Sequence, residues 1–406
     1  MKEGRNRMKY LVVLGDGMAD LPLEPLGGKT PLGFAHTPQM DELAGMGRLG
    51  LVQTVPAGMI PGSDVANLSV LGFDPRRSYS GRSPLEALSV GVPMEPDDLI
   101  LRCNLVTLTE REDYEDKTIL DHSAGGITTA EADVLLDAIR AEFDSEDFRF
   151  YTGTGYREIM VCSHRVMPQL EAPHDHLEQR IGAWLPRDEA LRDMMERSFE
   201  ILNDHPVNRH RAARGLHKAN SLWFWGPGTK PALENFREKT GKRGAMISAV
   251  DLLKGIAMAS GMEVLAVPGA NGGLDTNYEG KADAAAKAVL EDGFDFVYIH
   301  VEAPDEMGHM GSTDRKIQAI ESIDSRLIAR LRARMDASGE PYRLLVLPDH
   351  PTPVSLRTHT SDPVPFVIYD SSCQLRRIGR YNEEEAALTG DYVPDGWQLM
   401  DTFLQL

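Results

Sequence analysis

Short, strongly apolar runs alternate with segments of helical periodicity along this sequence, and this alternation restricts the fold more than any other feature. Several runs have the length and composition of strands buried in a parallel sheet. They are YLVVL (10–14), LGLVQTV (49–55), SLWFW (221–225), GAMI (244–247), EVLAV (263–267), DFVYIHV (295–301), RLLVL (343–347) and PFVIY (365–369). Segments such as TPQMDELAGMG, with Thr37 as N-cap and Pro38 at the first helical position, predict helices between them. The pattern indicates an α/β sandwich.

The middle of the chain has a different character. Between about residues 80 and 219 the apolar segments are shorter and more polar residues separate them, which predicts a smaller α+β unit inserted into the α/β domain. The length of 406 residues also favours two domains over one. We therefore predict one discontinuous domain, residues 1–79 and 220–406, and an inserted domain, residues 80–219.

Composition excludes several classes of function. The formal net charge of −19 repels nucleic acid and anionic membranes, so an anionic substrate must be attracted by a local cluster of Arg, Lys or metal. Cys103, Cys162 and Cys373 lie far apart, which argues against a disulfide framework or a thiolate zinc site and fits a reducing cytoplasm. No stretch approaches the length of a membrane span. We expect a cytoplasmic protein with no nucleic-acid or membrane partner, and its oligomeric state stays open.

Carboxylates and imidazoles follow three of the predicted strands. In open α/β sheets, ligands bind beyond the carboxyl ends of the strands. The residues at these positions are Asp16 after the first strand, Asp305 and His309 after DFVYIHV, and Asp349, His350 and His359 after RLLVL. Taken singly, each of them fits a turn or a helix start equally well. Together they favour a site for Mn²⁺, Zn²⁺ or a similar divalent ion.

Ser63 stands out in the stretch MIPGSDVANLSVLGFDP, residues 59–75. A helical run begins at Asp64, which would place the hydroxyl at a helix N-terminus, where backbone amides favour a phosphate. The alternative is that Ser63 is only a helix cap. Next to metal ions, the same hydroxyl gains a lower pKa and can act as a nucleophile. No GxSxG sequence is present, so a hydrolase triad has no support.

Five stretches resemble the cofactor-independent phosphoglycerate mutases of the archaeal type, which belong to the alkaline phosphatase superfamily. They are VVLGDGMAD, PGSDVANLSVLGFDP, GRSPLEALSVGV, VEAPDEMGH and PDHPTPVSLRTHTSDPVPF. The resemblance extends from about Tyr10 to the C-terminus. It implies an alkaline-phosphatase-like three-layer sandwich with a mostly parallel central sheet as the metal-binding phosphotransferase domain, and an inserted α+β domain that binds substrate.

The resemblance also implies roles for individual residues. It assigns one divalent ion to Asp305, His309 and His359, and a second ion to Asp16, Ser63, Asp349 and His350. Ser63 corresponds to the serine that is transiently phosphorylated. The expected cofactors are therefore two divalent ions, with Mn²⁺ as the first choice and Mg²⁺, Zn²⁺ or Co²⁺ as alternatives.

A small phosphorylated substrate needs cations that match phosphate and carboxylate, and planar guanidinium groups suit both. The resemblance implies a substrate-binding role for Asp121, His122, Arg157, Arg209, Arg214 and Lys254. Taken singly, each Arg fits ordinary surface charge better. At the positions that correspond to 121–125, the family usually has the sequence Asp-Tyr-Ser-Ala-Gly. This chain keeps Asp121 and Ser123 but has His122 in place of the tyrosine.

The expected activity is the interconversion of 3-phosphoglycerate and 2-phosphoglycerate through a phosphoserine. One alternative is a homoserine kinase-like phosphotransferase of the same family, although the chain has no GxxxxGK[ST] loop for ATP. A second is a metal-dependent phosphatase that releases inorganic phosphate. A third is an anion-binding protein that keeps the fold without catalysis, which the complete set of predicted metal ligands argues against.

Overall fold

The computed structural model describes residues 7–163, 166–373 and 379–405. The strands are Lys9–Gly15 (β1), Arg48–Val52 (β2), Leu99–Leu108 (β3), Ile119–Asp121 (β4), Phe148–Thr154 (β5), Arg157–Cys162 (β6), Ser221–Thr229 (β7), Gly244–Ile247 (β8), Glu263–Val264 (β9), Phe296–Val301 (β10), Tyr342–Leu347 (β11), Val364–Asp370 (β12) and Tyr392–Val393 (β13). The helices are Pro31–Phe34 (α1), Pro38–Met46 (α2), Ser63–Val70 (α3), Pro75–Ser78 (α4), Arg82–Ser89 (α5), Thr129–Phe143 (α6), Glu189–Leu202 (α7), Pro206–Ala213 (α8), Phe236–Thr240 (α9), Asp251–Ala259 (α10), Tyr278–Leu290 (α11), Ala303–His309 (α12), Thr313–Ser322 (α13), Ala329–Ser338 (α14), Glu383–Leu388 (α15) and Leu399–Gln405 (α16). A π-helical stretch, Ile323–Ile328, joins α13 to α14.

The chain divides into two compact units. The first comprises Met1–Tyr79 and Leu233–Leu406, and the second comprises Ser80–Ala232. The first unit contains a sheet with the strand order β13-β2-β12-β11-β1-β10-β8-β9. The second contains a separate sheet in which β3 pairs with β4, β6 and β7, and β6 pairs with β5.

The centre of the first sheet is parallel. Gly15 of β1 lies opposite Val301 of β10, and Leu14 lies opposite Leu347 of β11. The carboxyl ends of these three strands therefore coincide at one edge of the sheet. Residues that follow the three strands start from this edge, which is the place where open α/β sheets bind ligands.

Within the described residues, one strand of this sheet runs against its neighbours. β12 is antiparallel to both β11 and β2, so the sheet is mixed, with a parallel centre. The chain leaves β11, loops through residues 348–363 and returns beside it. Because an antiparallel return keeps both ends of a loop at one edge, His350 near its start and His359 near its end stay close, with ring centroids 4.1 Å apart.

Helices cover both faces of the first sheet. On one face, Leu11 belongs to the same buried cluster as Ala285 of α11 and Ile320 of α13. On the other, the ring of Tyr10 packs edge-on against Phe403 of α16, with centroids 5.6 Å apart. Since successive strand residues point to opposite faces, both faces of β1 are buried. Burial on two faces explains why the strands appear as continuous apolar runs in the sequence.

Two details of the predicted organisation are wrong. The run 221–225 does not belong to the first sheet: it forms β7, which pairs antiparallel with β3, where Phe224 lies opposite Cys103. The second unit accordingly ends at Ala232, not at residue 219. An apolar run predicts that a strand is buried but not which sheet it joins. Here the indole of Trp223 donates a 2.8 Å hydrogen bond to the carbonyl oxygen of Glu171, within the second unit.

Candidate metal centre and active site

Side chains from the ends of β1, β10 and β11 meet at one edge of the first unit's sheet. Three groups of them have ligand atoms within 4.8 Å of one another. The groups are Asp305, His309 and His359; Asp16, Asp305 and His350; and Asp16, His300 and Asp349. The structure thus brings together every residue that followed a strand in the sequence-based prediction, and it adds His300.

The first group is centred on the carboxylate of Asp305. His309 lies one helical turn further along α12, with its Nε2 atom 3.2 Å from Asp305 Oδ2. His359 reaches the other oxygen, with Nε2 at 3.4 Å from Oδ1. The two Nε2 atoms are 3.0 Å apart. The other ring nitrogen of His309 lies 3.0 Å from the carbonyl oxygen of Arg357, which orients the ring. Two imidazoles and one carboxylate therefore converge with the geometry of a divalent-ion site.

The second group surrounds the hydroxyl of Ser63. Its Oγ atom lies 3.2 Å from His350 Nε2 and 3.5 Å from Asp16 Oδ2. Ser63 is the first residue of α3, and Gly62 occupies the N-cap position. The structure gives no side-chain capping bond at this helix start. The hydroxyl is therefore directed to the carboxylate and imidazole group and does not cap the helix.

Asn67 fixes Ser63 relative to Asp349. Its side-chain amide donates 2.8 Å hydrogen bonds to both the carbonyl oxygen of Ser63 and Asp349 Oδ2. The hydroxyl of Tyr298 donates to Asn67 Oδ1 at 2.6 Å, which fixes the orientation of the amide. The backbone N–H of Gly17 donates to Asp349 Oδ1 at 3.0 Å. The nucleophile candidate and this carboxylate are thus held by one buried network.

Gly17 has a steric role at the same place. Its φ of +58° lies in the left-handed region, and a Cβ atom there would lie 2.8 Å from Asp305 Cα. Only glycine lets the loop after β1 pass this close to the start of α12.

The charges of the site fit bound cations. Burial raises the pKa of Asp16 well above its ordinary value, and the nearby carboxylates of Asp349, Asp305 and Glu302 raise it further. Asp16 Oδ1 is buried and has no hydrogen-bond partner among the described residues. Burial would also raise the pKa of Asp305, but hydrogen bonds from His309 and His359 outweigh it and hold that pKa well below normal. A cluster of buried carboxylates with an unpartnered oxygen requires positive charge, and divalent ions with oxygen and imidazole ligands would supply it.

His300 was missed by the sequence analysis. It lies in β10, is completely buried, and its Nε2 atom is 2.9 Å from Asp16 Oδ2. The signal was present in the sequence, because a histidine inside the apolar run DFVYIHV needs a polar partner when the strand is buried. A prediction based on the residues beyond strand ends does not include a residue within the strand.

The residues predicted to bind substrate are spread over both units. In the second unit, the ring of Tyr156 lies 5.9 Å from the ring of His122 and 5.4 Å from the Arg157 guanidinium carbon. Arg209 and Arg214 are exposed on α8 and at its C-terminal end. In the first unit, Lys254 of α10 lies 3.0 Å from Asp251 Oδ1.

Asp121 is occupied by hydrogen bonds within its own unit. Its Oδ1 accepts from the N–H and hydroxyl of Ser123, and its Oδ2 accepts from the N–H of Gly125. Oδ2 also lies 2.9 Å from Nδ1 of His217. Burial would raise the pKa of Asp121, but these hydrogen bonds outweigh it and the pKa is lowered. A carboxylate in this setting organises a loop and is a poor general base.

A cationic cluster in the second unit was not predicted as a whole. Arg82 Nε and Arg102 Nη1 lie 2.8 and 2.9 Å from the same oxygen of Glu86. The Arg102 guanidinium carbon lies 4.9 Å from the ring centre of Trp225, and its Nε is buried without a partner among the described residues. The ring of His174 lies 5.2 Å from that of Trp225. Burial lowers the pKa of His174, the carboxylate of Asp175 opposes the fall, and the neighbouring His122, Arg102 and Arg82 lower the pKa further.

The carboxylate of Glu86 therefore interacts with several guanidinium groups. The pKa of Glu86 would rise on burial, yet the guanidiniums of Arg102, Arg82 and Arg157 together lower it. Among the described residues, Arg157 has no carboxylate partner of its own. Three guanidinium groups around one buried carboxylate, beside aromatic rings, are a suitable environment for a small anion.

None of the helices formed by the described residues is both long and apolar enough to cross a bilayer.

Comparison with known proteins gives a consistent result along the chain. A family model described as 2,3-bisphosphoglycerate-independent phosphoglycerate mutase matches residues 44–208. A protein of that name from Methanosarcina acetivorans is 48% identical over 94% of this chain and 96% of its own length. A protein from Geobacter sulfurreducens, described as a probable enzyme of the same name, is 48% identical over 98% of this chain and 100% of its own length.

Solved structures agree in fold. A protein from Pyrococcus horikoshii superposes with a TM-score of 0.81 at 29% identity, covering 98% of this chain and 97% of the other. A cofactor-independent phosphoglycerate mutase from Thermoplasma acidophilum superposes with a TM-score of 0.64 at 28% identity, covering 98% and 99%. These similarities extend over both units of the chain.

Proposed function

The chain belongs to the family of 2,3-bisphosphoglycerate-independent phosphoglycerate mutases, and we propose that it interconverts 3-phosphoglycerate and 2-phosphoglycerate. The observation that carries the proposal is the position of Ser63, whose hydroxyl faces Asp16 and His350 at the edge where three strands end. A hydroxyl among metal-ligand residues is suited to phosphoryl transfer.

In the proposed reaction, Ser63 Oγ attacks the phosphorus of 3-phosphoglycerate, and the bond from phosphorus to the C3 oxygen breaks. Ser63 Oγ loses its proton, the C3 oxygen takes up a proton, and the phosphoryl group stays on Ser63. The 2-hydroxyl of the glycerate then attacks the phosphoserine and loses its proton, the bond from phosphorus to Ser63 Oγ breaks, and Ser63 Oγ takes up a proton again. Asn67 keeps Ser63 in place during both halves through its bond to the Ser63 carbonyl. Bound divalent ions would lower the pKa of the serine hydroxyl and neutralise the phosphoryl oxygens.

We assign the cation ligands as the family resemblance implies. Asp305, His309 and His359 would hold one ion, and Asp16, Ser63, Asp349 and His350 the other, with Mn²⁺ as the first choice. The unpartnered Asp16 Oδ1 and the clustered carboxylates support this assignment. We also assign the first unit to the alkaline-phosphatase-like three-layer arrangement, which is supported by helices on both faces of its sheet.

The second unit is proposed to recognise the anionic substrate. The support is that the guanidinium groups of Arg82, Arg102 and the predicted Arg157 surround Glu86, and that His122 and Arg157 both lie near the ring of Tyr156. Arg209, Arg214 and Lys254 stay in the proposal on the strength of the family resemblance. Asp121 is proposed to shape the loop that carries His122, since its oxygens are already hydrogen-bonded.

The deciding experiment is to incubate the purified protein with 3-phosphoglycerate and Mn²⁺ and to follow 2-phosphoglycerate by phosphorus NMR. We expect conversion that stops with a chelator and returns when Mn²⁺ is restored. Release of inorganic phosphate without 2-phosphoglycerate would indicate a phosphatase. Phosphorylation of homoserine by ATP, with no conversion of phosphoglycerate, would indicate the kinase alternative.

A further inference from the structure

The most informative group that the proposed reaction does not use is the His300 imidazole. It is completely buried in β10, and each ring nitrogen faces one polar atom. Nε2 lies 2.9 Å from Asp16 Oδ2, and Nδ1 lies 3.2 Å from the hydroxyl oxygen of Ser248. Ser248 in turn accepts a 3.0 Å hydrogen bond from the backbone N–H of Val250. These contacts form one continuous chain from a backbone amide to a predicted cation ligand.

The chain of hydrogen bonds has one consistent direction. An ionised Asp16 can only accept, so the imidazole must donate from Nε2. A neutral imidazole with its proton on Nε2 accepts at Nδ1, and the Ser248 hydroxyl donates there. The lone pairs of Ser248 Oγ stay available for the N–H of Val250. Each donor in the chain therefore has an acceptor, and one tautomer of His300 satisfies them all.

The position of His300 is itself fixed from the backbone. Lys281, which is completely buried, donates a 2.7 Å hydrogen bond from Nζ to the carbonyl oxygen of His300. At the other end of this chain of hydrogen bonds, next to His300 Nε2, the two oxygens of Asp16 have different surroundings. Oδ2 faces His300 and Ser63, whereas Oδ1 is buried, has no hydrogen-bond partner within the described part of the chain and lies 3.5 Å from His350 Nε2.

We propose that His300 is a positioning residue that selects which oxygen of Asp16 binds the cation. Its Nε2–H holds Oδ2, which presents Oδ1 to the ion, and Ser248 sets the tautomer that allows this. The inference rests on the cation centre of the proposed function but not on the identity of the substrate. A donor to a ligand carboxylate typically changes metal affinity by about 10- to 100-fold.

The test compares His300→Gln with His300→Leu in the full-length chain stripped of metal. Gln places a side-chain N–H near the position of Nε2, whereas Leu has no donor. Titration with Mn²⁺ by calorimetry should give an affinity within about threefold of the parent for Gln and a loss of about 10- to 100-fold for Leu. Equal affinity in the parent and the Leu variant would overturn the proposal.

A second readout separates positioning from direct ligation. With Co²⁺ as the probe, the visible spectrum of the Gln variant should match that of the parent, because the atoms bound to the ion are unchanged. If the Gln variant loses as much affinity as the Leu variant and its Co²⁺ spectrum changes, His300 is itself a ligand and the positioning role is wrong.

Matched serine variants make the test independent of whether the Leu variant folds. Ser248→Ala removes the donor to Nδ1 and should weaken Mn²⁺ binding by about three- to tenfold. Ser260→Ala is the control, since Ser260 is also buried and its hydroxyl, among the described residues, donates only to the carbonyl oxygens of Ile256 and Ala257. Equal Mn²⁺ affinity in the two variants would contradict the role of Ser248 in setting the tautomer of His300. If the variants show these differences in Mn²⁺ affinity but the parent converts no phosphoglycerate, the proposed function is wrong and this inference still holds.

Discussion

Lys316 Nζ lies 2.7 Å from Asp20 Oδ2, and both side chains are completely buried. The same ammonium donates to the carbonyl oxygens of Ala19 at 3.0 Å and Thr352 at 2.8 Å. Ala19 lies in the loop that begins with Asp16, and Thr352 lies in the loop after β11. The Thr352 hydroxyl also donates to Asp305 Oδ1. One buried cation therefore joins two of the loops that carry the predicted ligands.

Lys316→Met should destabilise the protein strongly. The substitution keeps the volume of the side chain but leaves the Asp20 carboxylate buried without its partner, which typically costs about 3–5 kcal/mol. Urea unfolding measures the loss. The double variant Lys316→Met, Asp20→Asn should recover part of it, because the uncompensated charge is gone. A single variant within about 1 kcal/mol of the parent would show that the ion pair contributes little.

Ser63→Ala should abolish turnover while Mn²⁺ remains bound. Removal of a nucleophile typically lowers kcat by about a thousandfold or more. The matched control is Ser69→Ala on the same helix, since Ser69 is fully buried and its hydroxyl has no partner among the described residues. Both variants are assayed for 2-phosphoglycerate formation and for Mn²⁺ content. Mutase activity in Ser63→Ala above about a tenth of the parent value would rule out the phosphoserine route.

The position of the site could be predicted because a parallel sheet converts chain order into spatial proximity. Asp16, Asp305 and Asp349 are far apart in the sequence, but each follows a strand whose carboxyl end lies at the same edge. His359 was predictable for a different reason, since β12 returns antiparallel beside β11 and keeps the loop at that edge. For His300 the sequence predicts only that a histidine inside an apolar run needs a polar partner, and it gives no indication that this partner is Asp16.

The capping of α2 by a residue distant in the sequence was also not predicted. Thr37 was expected to cap α2 and does occupy the N-cap position, but its side chain makes no capping bond. The carboxylate of Asp324 accepts from the N–H groups of Gln39 and Met40 instead, at 3.2 and 2.8 Å. A local pattern identifies where a helix begins. The residue that satisfies its free N–H groups can come from anywhere in the fold.

Arg157→Gln should raise KM for 3-phosphoglycerate with little effect on stability. Arg157 is exposed and, within the described part of the chain, has no carboxylate partner, so its charge is available to an anion. Loss of one charge-assisted hydrogen bond typically costs about 1.5–3 kcal/mol, or roughly 10- to 160-fold in kcat/KM. Arg180→Gln is the control, since Arg180 is an exposed arginine of the same unit that pairs with Asp116 at 3.1 Å. Equal kinetic constants in the two variants would contradict anion binding by Arg157.

Glu158 gives the second unit a pH-dependent stability. Its side chain is completely buried between β3 and β5, with Oε1 unpartnered among the described residues and Oε2 accepting from the N–H of Gly153 at 2.6 Å. Burial raises the pKa of Glu158 to about 7, against an ordinary value of 4.5, although the Gly153 bond opposes the rise. The folded state therefore holds this proton more tightly than the unfolded state.

Because the folded pKa is the higher one, the stabilisation from this proton is complete below about pH 4.5 and is lost as the pH rises through 7. The loss approaches about 3 kcal/mol by pH 8. Glu158→Gln stays neutral and can still accept from Gly153, so its free energy of unfolding should fall less between pH 5 and pH 8 than that of the parent. Urea unfolding at several pH values measures the difference. Parallel pH profiles for the two proteins would show that Glu158 titrates normally in the folded state.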